Sequence, residues 1–134
     1  QVEGTVNSAD QRPELQTLTL HLKVSRDEEY VRTTLALGDQ SFELEPRSYH
    51  YLLVTLARIK RDDAEASEDE RGWIDAELLA RQLAVSRRTL NVHICRLRQQ
   101  IGQTGIEGAA GIIERRSGAR QLRLGVASFS VERL

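Results

Sequence analysis

The apolar residues of this 134-residue chain follow two periods, and the change from one to the other falls near Pro46. Before that proline, as in residues 18–24, apolar and polar side chains alternate, which is typical of strands with one buried face. After it, apolar residues recur at helical spacing. The pattern therefore predicts an antiparallel meander of strands over residues 15–45 and a helical region behind it.

Three helices are predicted in the region that follows. The first covers residues 46–60, because proline suits the first turn of a helix. The second covers residues 75–83 and the third covers residues 86–101, and each begins at a residue type that commonly caps helices, Asp75 and Ser86. The connection between these two helices is very short, so we expect them to form a tightly turned pair.

The end of the chain predicts a β-hairpin over residues 111–125 that turns at a Ser-Gly pair. A last strand is predicted near residues 128–131, and residues 1–14 are predicted to be a linker or a disordered end. The expected fold class is therefore α+β. It has an N-terminal antiparallel sheet, three helices and a C-terminal hairpin, all in one domain over residues 15–134.

The net charge of −1 conceals an uneven distribution along the chain. Residues 1–70 carry 8 Lys and Arg against 15 Asp and Glu, and they include most of an acidic loop over residues 60–72 that we expect to be a solvated insertion. Residues 71–134 carry 11 arginines and no lysine against 5 Asp and Glu. Arginine suits phosphates and guanine edges, so this half is expected to meet a polyanion. The pI of about 6.4 argues against indiscriminate binding.

The third predicted helix divides into two faces at about 100° per residue. Leu90, Ile94, Leu97 and Ile101 fall within one narrow arc and predict the buried side. No acidic residue occurs between positions 86 and 106, although a solvated helix surface commonly carries several. The opposite arc and its flanks hold Arg88, Asn91, Val92, Cys95, Arg96 and Gln99.

This outward face matches the chemistry of base edges in the major groove of DNA. Arginine pairs with guanine, Asn or Gln pairs with adenine, and a small apolar side chain contacts the thymine methyl group. Ser86, Arg87 and Thr89 lie at the start of the helix, where free backbone N–H groups favour a phosphate. The predicted hairpin adds cations that can contact phosphates or the minor groove. These cations are Arg115, Arg116 and Arg120.

Other uses of these surfaces stay open. Val92 and Cys95, together with the acidic loop, can dock a protein partner instead of DNA, and the N-terminal sheet can join two copies of the chain. Sequence-specific binding of double-stranded DNA is the preferred prediction. A protein-protein interaction module without DNA binding is the alternative.

The stretch RTLNVHICRLR at residues 88–98 resembles the recognition helix of OmpR/PhoB-type response regulators, whose pattern is Arg-Thr-Val-Asp-Val-His-Ile-x-Arg-Leu-Arg. EPRSY at residues 45–49 is similar to the start of that family's first helix, and IERRSG at residues 113–118 is similar to its wing. The resemblance covers roughly residues 15–125. It implies a winged helix-turn-helix fold in the output domain of a bacterial, cytoplasmic transcriptional or signalling regulator, with a sensor domain upstream.

The chain departs from that family's pattern in four places. The connection before Ser86 is shorter, the loop at residues 60–72 is longer and more acidic, Asn91 replaces the common Asp, and the wing lacks an aromatic residue near its end. HYLLVTLAR at residues 50–58 is also similar to a winged-helix-like region that follows a forkhead-associated domain in some bacterial proteins. That second resemblance implies an upstream domain that binds phosphothreonine.

Several classes of function find no support in the sequence. A single cysteine excludes an internal disulfide and a Cys-rich zinc site, and three scattered histidines lack the spacing of metal ligands. No Gly-rich phosphate loop precedes a helix and no catalytic constellation is present, so we expect neither an enzyme nor a cofactor. No apolar run reaches the roughly 20 residues that span a membrane. The start at Gln1 and the absence of Met predict a piece of a longer protein.

Overall fold

The computed structural model describes residues 14–116, 118 and 120–134. Within these ranges the chain is a mixed α/β protein with three helices and two sheets, which is compatible with the predicted α+β class. The helices are α1 (Tyr51–Asp62), α2 (Ala76–Gln82) and α3 (Arg87–Gly102). The strands are β1 (Thr19–Val24), β2 (Val31–Leu37), β3 (Gln40–Glu43), β4 (Ile74–Asp75), β5 (Ile113–Arg116), β6 (Gln121–Leu124) and β7 (Ser128–Arg133).

The larger sheet has four strands in the order β3-β2-β1-β7. The first three are antiparallel to their neighbours, as the meander predicts. Strand β7 instead runs parallel to β1, from Ser128 beside Thr19 to Arg133 beside Val24. The predicted antiparallel meander is therefore confirmed, and the last predicted strand joins it in parallel. One edge of β1 carries backbone N–H and C=O groups that need partners, and the C-terminal strand supplies them.

One face of this sheet and one side of each helix share a single core. Strand β1 contributes Leu20, Leu22 and Val24, each at most 1% exposed. The alternate residues of β1 and β7 lie on the outward face, where the His21 Nδ1 atom is 2.9 Å from the Ser130 hydroxyl oxygen. The alternation that predicted a half-buried strand is confirmed here.

The smaller sheet has the strand order β4-β6-β5. Strands β5 and β6 form the predicted hairpin, with Ile113 beside Leu124. Strand β4 adds a third strand that the sequence did not predict, with Ile74 beside Leu122. These pairings place the hairpin directly against the start of α2, which follows β4 without a break.

Helix α1 begins at Tyr51 rather than at Pro46, after a short 3-10 turn over Ser48–His50. Arg47 is extended, with φ −143° and ψ 148°, so the backbone cannot become helical until it has passed that residue. At its other end α1 continues to Asp62, two residues further than predicted.

Helices α2 and α3 begin at the two predicted caps, which are both confirmed. The Asp75 carboxylate accepts hydrogen bonds from the first turn of α2, and the Ser86 hydroxyl does so for α3. Between the helices, Ala84 has φ 57°, a left-handed conformation that glycine usually occupies and that allows the chain to turn sharply. Leu78, which helical spacing predicts to face inward, is 42% exposed.

Parts of two predictions lie outside the described residues, namely residues 1–13 of the predicted linker and Ser117 of the predicted turn. Glu14, the last residue of that linker, pairs with Glu107 in an isolated parallel bridge. The Leu15 N–H group donates to the Glu107 carbonyl oxygen at 3.0 Å. Glu14 therefore belongs with the folded domain.

Candidate nucleic-acid interface

Helix α3 is anchored by one apolar side and leaves the other side open. Leu90, Ile94, Leu97 and Ile101 are each at most 1% exposed, which confirms the predicted core face. Because these four side chains span the whole helix, the direction of the opposite side is fixed. The residues exposed there, which we call the outer face of α3, are Arg88, Asn91, Val92, Cys95, Arg96 and Gln99.

The outer face of α3 combines free cations with small apolar groups. The side chains of Arg88 and Arg96 make no hydrogen bond or ion pair with any residue that the structure describes. Val92 is 40% exposed, and Cys95 is an exposed free thiol. Since α3 carries no carboxylate, this surface offers donors and apolar contacts without a competing negative charge.

The start of α3 is partly occupied by contacts within the protein. The Ser86 hydroxyl accepts a hydrogen bond from the Thr89 N–H at 3.0 Å and donates one to the Thr89 hydroxyl at 3.1 Å. The Arg87 Nη1 atom lies 3.3 Å from a Glu77 carboxylate oxygen, and its Nε atom is buried without a hydrogen-bond partner among the described residues. Ser86 and Thr89 therefore serve the helix cap, and Glu77 neutralises part of the charge of Arg87.

Arg98 joins α3 to the hairpin of β5 and β6, a role that sequence analysis missed. Its Nε atom donates to the Ala110 carbonyl at 2.8 Å and its Nη2 atom to the Ile113 carbonyl at 2.7 Å. Burial first, and then the nearby charge of Arg115, lowers the pKa of Arg98. A guanidinium stays charged at neutral pH even so, and these two bonds fix the hairpin beside α3.

Two of the three predicted hairpin cations are open to solvent. Arg115 and Arg120 are exposed, and neither side chain has a hydrogen bond or ion pair within the described ranges. Arg120 has φ 54°, and its carbonyl oxygen accepts a hydrogen bond from the Ala76 N–H at 2.9 Å. This contact ties the end of the hairpin turn to the first residue of α2, so the position of Arg120 relative to the helices is fixed.

The third cation, Arg116, is engaged within the protein. Successive residues of a strand point to opposite faces of a sheet, so Arg116 faces away from Arg115. Its Nη2 atom lies 3.3 Å from a Glu70 carboxylate oxygen and 3.3 Å from the Asp69 carbonyl oxygen. Of the arginines predicted on the hairpin, only Arg115 and Arg120 are free to meet a ligand without breaking an existing contact.

Trp73 lies between the hairpin and the acidic residues rather than in the core. The Arg116 and Arg123 guanidinium carbons lie 4.4 Å and 4.5 Å from the centre of its ring. Its indole N–H donates to the Asp69 carbonyl at 2.9 Å. The only tryptophan of the chain, which follows a polar loop and precedes an apolar residue, predicts a core anchor. That prediction is wrong, because cation–π contacts and this hydrogen bond hold Trp73 at the edge of the smaller sheet.

The acidic segment, residues 62–70, packs on the smaller sheet. The Arg123 Nη1 atom donates to the Glu68 carbonyl at 2.7 Å. Lys60 is 2% exposed, its Nζ atom donates to the Leu124 carbonyl at 3.1 Å, and it lies 3.6 Å from a Glu68 carboxylate oxygen. Burial lowers the pKa of Lys60. The segment is mostly exposed, as expected for a solvated loop, but cations from α1 and β6 also fasten it to the fold.

A polar groove of about 470 Å³ lies beside the outer face of α3. Arg96 lines it from α3, and Arg47 and Tyr49 line it from the segment before α1, together with the Glu45 carboxylate. The Tyr49 ring lies 5.9 Å from the ring of His93. Burial, followed by the charge of Arg96, lowers the pKa of His93. Sequence analysis did not find this groove, because its two walls lie far apart in the chain.

Other kinds of site were sought across the part of the chain that the structure describes. No group of three or more His, Cys, Asp and Glu residues there is placed to hold a metal ion. No helix in the same ranges has the length and apolar character needed to cross a membrane. A comparison with family models, with curated proteins and with solved structures finds no match to this chain. Function is therefore inferred from the geometry and chemistry of the outer face of α3.

Proposed function

We propose that this chain is a winged helix-turn-helix domain that binds duplex DNA in a sequence-dependent way, with α3 in the major groove. The observation that carries the proposal is the outer face of α3, which is free of carboxylates and lies opposite four fully buried anchors. A major groove about 12 Å wide admits an α-helix about 10–12 Å in diameter. The tight turn before α3 and the hairpin after it support this docking.

Each residue of the outer face of α3 other than Arg96 has a base partner in this proposal. Arg88 donates two hydrogen bonds to a guanine, and Asn91 or Gln99 pairs with an adenine. Val92 and Cys95 contact thymine methyl groups, which explains why small apolar side chains occupy an exposed surface. These contacts determine which sequence is bound.

Phosphate contacts position the duplex. Arg115 and Arg120 meet the backbone beside the hairpin, since both are exposed and unpaired among the described residues. Arg87 and Arg116 contribute less, because Glu77 and Glu70 already neutralise part of their charge. Ser86 and Thr89 keep the first turn of α3 capped, so that its remaining N–H groups point at a phosphate.

The resemblance of residues 88–98 to OmpR/PhoB-type recognition helices supports a broader proposal. In it, the chain is the output domain of a bacterial transcriptional or signalling regulator in the cytoplasm, and an upstream domain receives the signal. The order of the elements from β1 through the hairpin is consistent with that family's layout.

Alanine variants of the outer face test the proposal. Arg88→Ala and Asn91→Ala are each expected to weaken binding to a selected site by about 1–3 kcal/mol and to relax its specificity. The triple Arg88/Asn91/Arg96 alanine variant is compared with Lys23→Ala/Arg26→Ala, which removes the same positive charge from β1 and the turn that follows it. Equal DNA affinity of the two variants would refute docking of α3 in the groove.

A second function is favoured by the apolar exposure of the two neighbouring helices. Leu78 on α2 is 42% exposed and Val92 on α3 is 40% exposed, which suits a protein partner that covers both helices. In that case the chain is a protein-interaction module that has the same fold. Electrostatic binding of DNA is strongest at low salt. If the chain does not bind mixed duplex fragments at about 50 mM salt, the result supports the protein-interaction function over DNA binding.

A further inference from the structure

The polar groove beside α3 lies outside the contacts assigned so far. We propose that it is a second phosphate-binding site of the DNA interface, in which Arg47 and Arg96 hold the DNA strand on the side of α3 away from the hairpin. This inference rests on the proposed function. It adds Arg47, which belongs neither to α3 nor to the hairpin, to the residues that bind DNA.

Helix geometry places the groove opposite the hairpin. Arg98 marks the hairpin side of α3, because its guanidinium is bonded to the Ala110 and Ile113 carbonyls. At about 100° per residue, Arg96 lies about 160° around the helix from Arg98. Cys95 falls between these two directions, so the outer face is flanked by the hairpin on one side and by the groove on the other.

Ring contacts connect the two sides of the groove. The Tyr49 ring lies 5.9 Å from the ring of His93 on α3 and 5.4 Å from that of His50. Arg96 lies near His93 and Arg47 lies near His50, and each charge lowers the pKa of that histidine after burial has done so. Arg47 and Arg96 both line the groove, and Tyr49 packs α3 against the segment that carries Arg47.

A DNA backbone fits this groove because a helix in the major groove has one sugar-phosphate backbone on each of its sides. The hairpin cations can reach only one of those strands. Arg47 and Arg96 supply two guanidiniums for the other strand, and a guanidinium binds phosphate oxygens in a bidentate manner.

The groove also contains carboxylates that can pair with its arginines. The Arg47 Nη1 atom lies 3.3 Å from a Glu45 carboxylate oxygen, and the two side chains are 47% and 74% exposed. An exposed pair of this kind is weak, so a phosphate can replace the carboxylate as the partner of Arg47. Glu43 also lines the groove and lies 3.8 Å from Arg32. Glu45 is thus a competitor of the phosphate, and its removal is expected to strengthen DNA binding.

The test measures the affinity of the full chain for a pool of random-sequence duplex fragments as salt is varied. Arg47→Ala is expected to reduce the magnitude of the salt slope by about 0.9, which corresponds to about 15-fold weaker binding at about 50 mM salt relative to 1 M. Glu45→Gln is expected to shift the affinity in the opposite direction. Lys23→Ala, an exposed cation on the larger sheet, is the matched control and is expected to change little.

The outcomes separate this inference from the proposed function. If the wild-type chain binds DNA and Arg115→Ala weakens it, while Arg47→Ala behaves like Lys23→Ala, the groove is not a phosphate site and only this inference is overturned. If the wild-type chain fails to bind duplex at about 50 mM salt, both proposals are overturned. Unchanged urea unfolding midpoints for the Arg47 and Glu45 variants show that affinity rather than folding was altered.

Discussion

Acidification below neutral pH is expected to destabilise the fold through His50, which is fully buried between β2 and α3. The Gln100 amide nitrogen donates to the Glu45 carbonyl at 2.8 Å, so the amide oxygen faces the His50 Nε2 atom at 2.6 Å and accepts a hydrogen bond from its N–H group. The Nδ1 atom of the neutral ring then accepts from the Thr33 hydroxyl at 3.1 Å. The neutral ring is therefore fully hydrogen-bonded, and burial disfavours its charged form.

The sign and size of the effect follow from linkage. Burial lowers the pKa of His50 below its ordinary value of 6.5, although the bond to Gln100 partly opposes this. As the pH falls through about 6.5, His50 becomes protonated in the unfolded chain but stays neutral in the folded chain. The free energy of unfolding is therefore expected to fall by up to about 1.4 kcal/mol per pH unit until the folded-state pKa is reached.

Urea unfolding at several pH values between about 7.5 and 5 measures this loss. His93 has a pKa lowered by burial as well, so it contributes to the same pH range. The difference between the wild type and His50→Gln isolates the contribution of His50, and His93→Gln is the matched control. Parallel loss of stability in the wild type and in His50→Gln would contradict the reasoning.

Three further predictions concern caps and surface charges. Ser86→Ala is expected to lower the free energy of unfolding by about 0.5–2 kcal/mol in urea titrations, since it removes the cap of α3, whereas Ser67→Ala, which removes no cap bond, should have little effect. The Arg58 guanidinium lowers the pKa of Glu28 to about 2. The stability from this pair is therefore fully present above about pH 4.5 and is lost as the pH falls toward 2. In Glu28→Gln, the free energy of unfolding should depend less on pH over that range. Arg115→Ala is expected to weaken binding to all duplexes alike and to reduce the magnitude of the salt slope by about 1. If the variant instead changes which sequences are preferred, Arg115 contacts bases rather than phosphates.

The elements with local signals were predictable from the sequence. The core face of α3 followed from the spacing of Leu90, Ile94, Leu97 and Ile101, because a helix buries residues at one angular position. The starts of α2 and α3 followed from Asp75 and Ser86, since capping depends on one side chain and the next three backbone groups.

Features that join distant parts of the chain were not predictable. The hydroxyls of Thr19 and Ser128 meet at 3.0 Å across 109 positions, and no local pattern selects that parallel pairing. The acidic segment is exposed as its composition predicts, but its attachment to the smaller sheet was not predictable, because the cations that hold it, Arg116 and Arg123, come from the hairpin. The same tertiary contacts distinguish the free Arg115 from the engaged Arg116, although the two residues are adjacent in the sequence.

The salt dependence of duplex binding by the wild-type chain shows most directly whether this domain binds DNA through its unpaired arginines. The unpaired guanidiniums assigned to phosphates are those of Arg115 and Arg120, and the groove adds the guanidiniums of Arg47 and Arg96. The hairpin pair predicts a slope of about −1.8 for the logarithm of affinity against that of salt, or about −3.6 if Arg47 and Arg96 join it. Affinity should then fall about 12-fold, or about 150-fold with the groove, between about 50 and 200 mM salt. Undetectable binding at the lower salt concentration, or an affinity that does not depend on salt, would contradict the account.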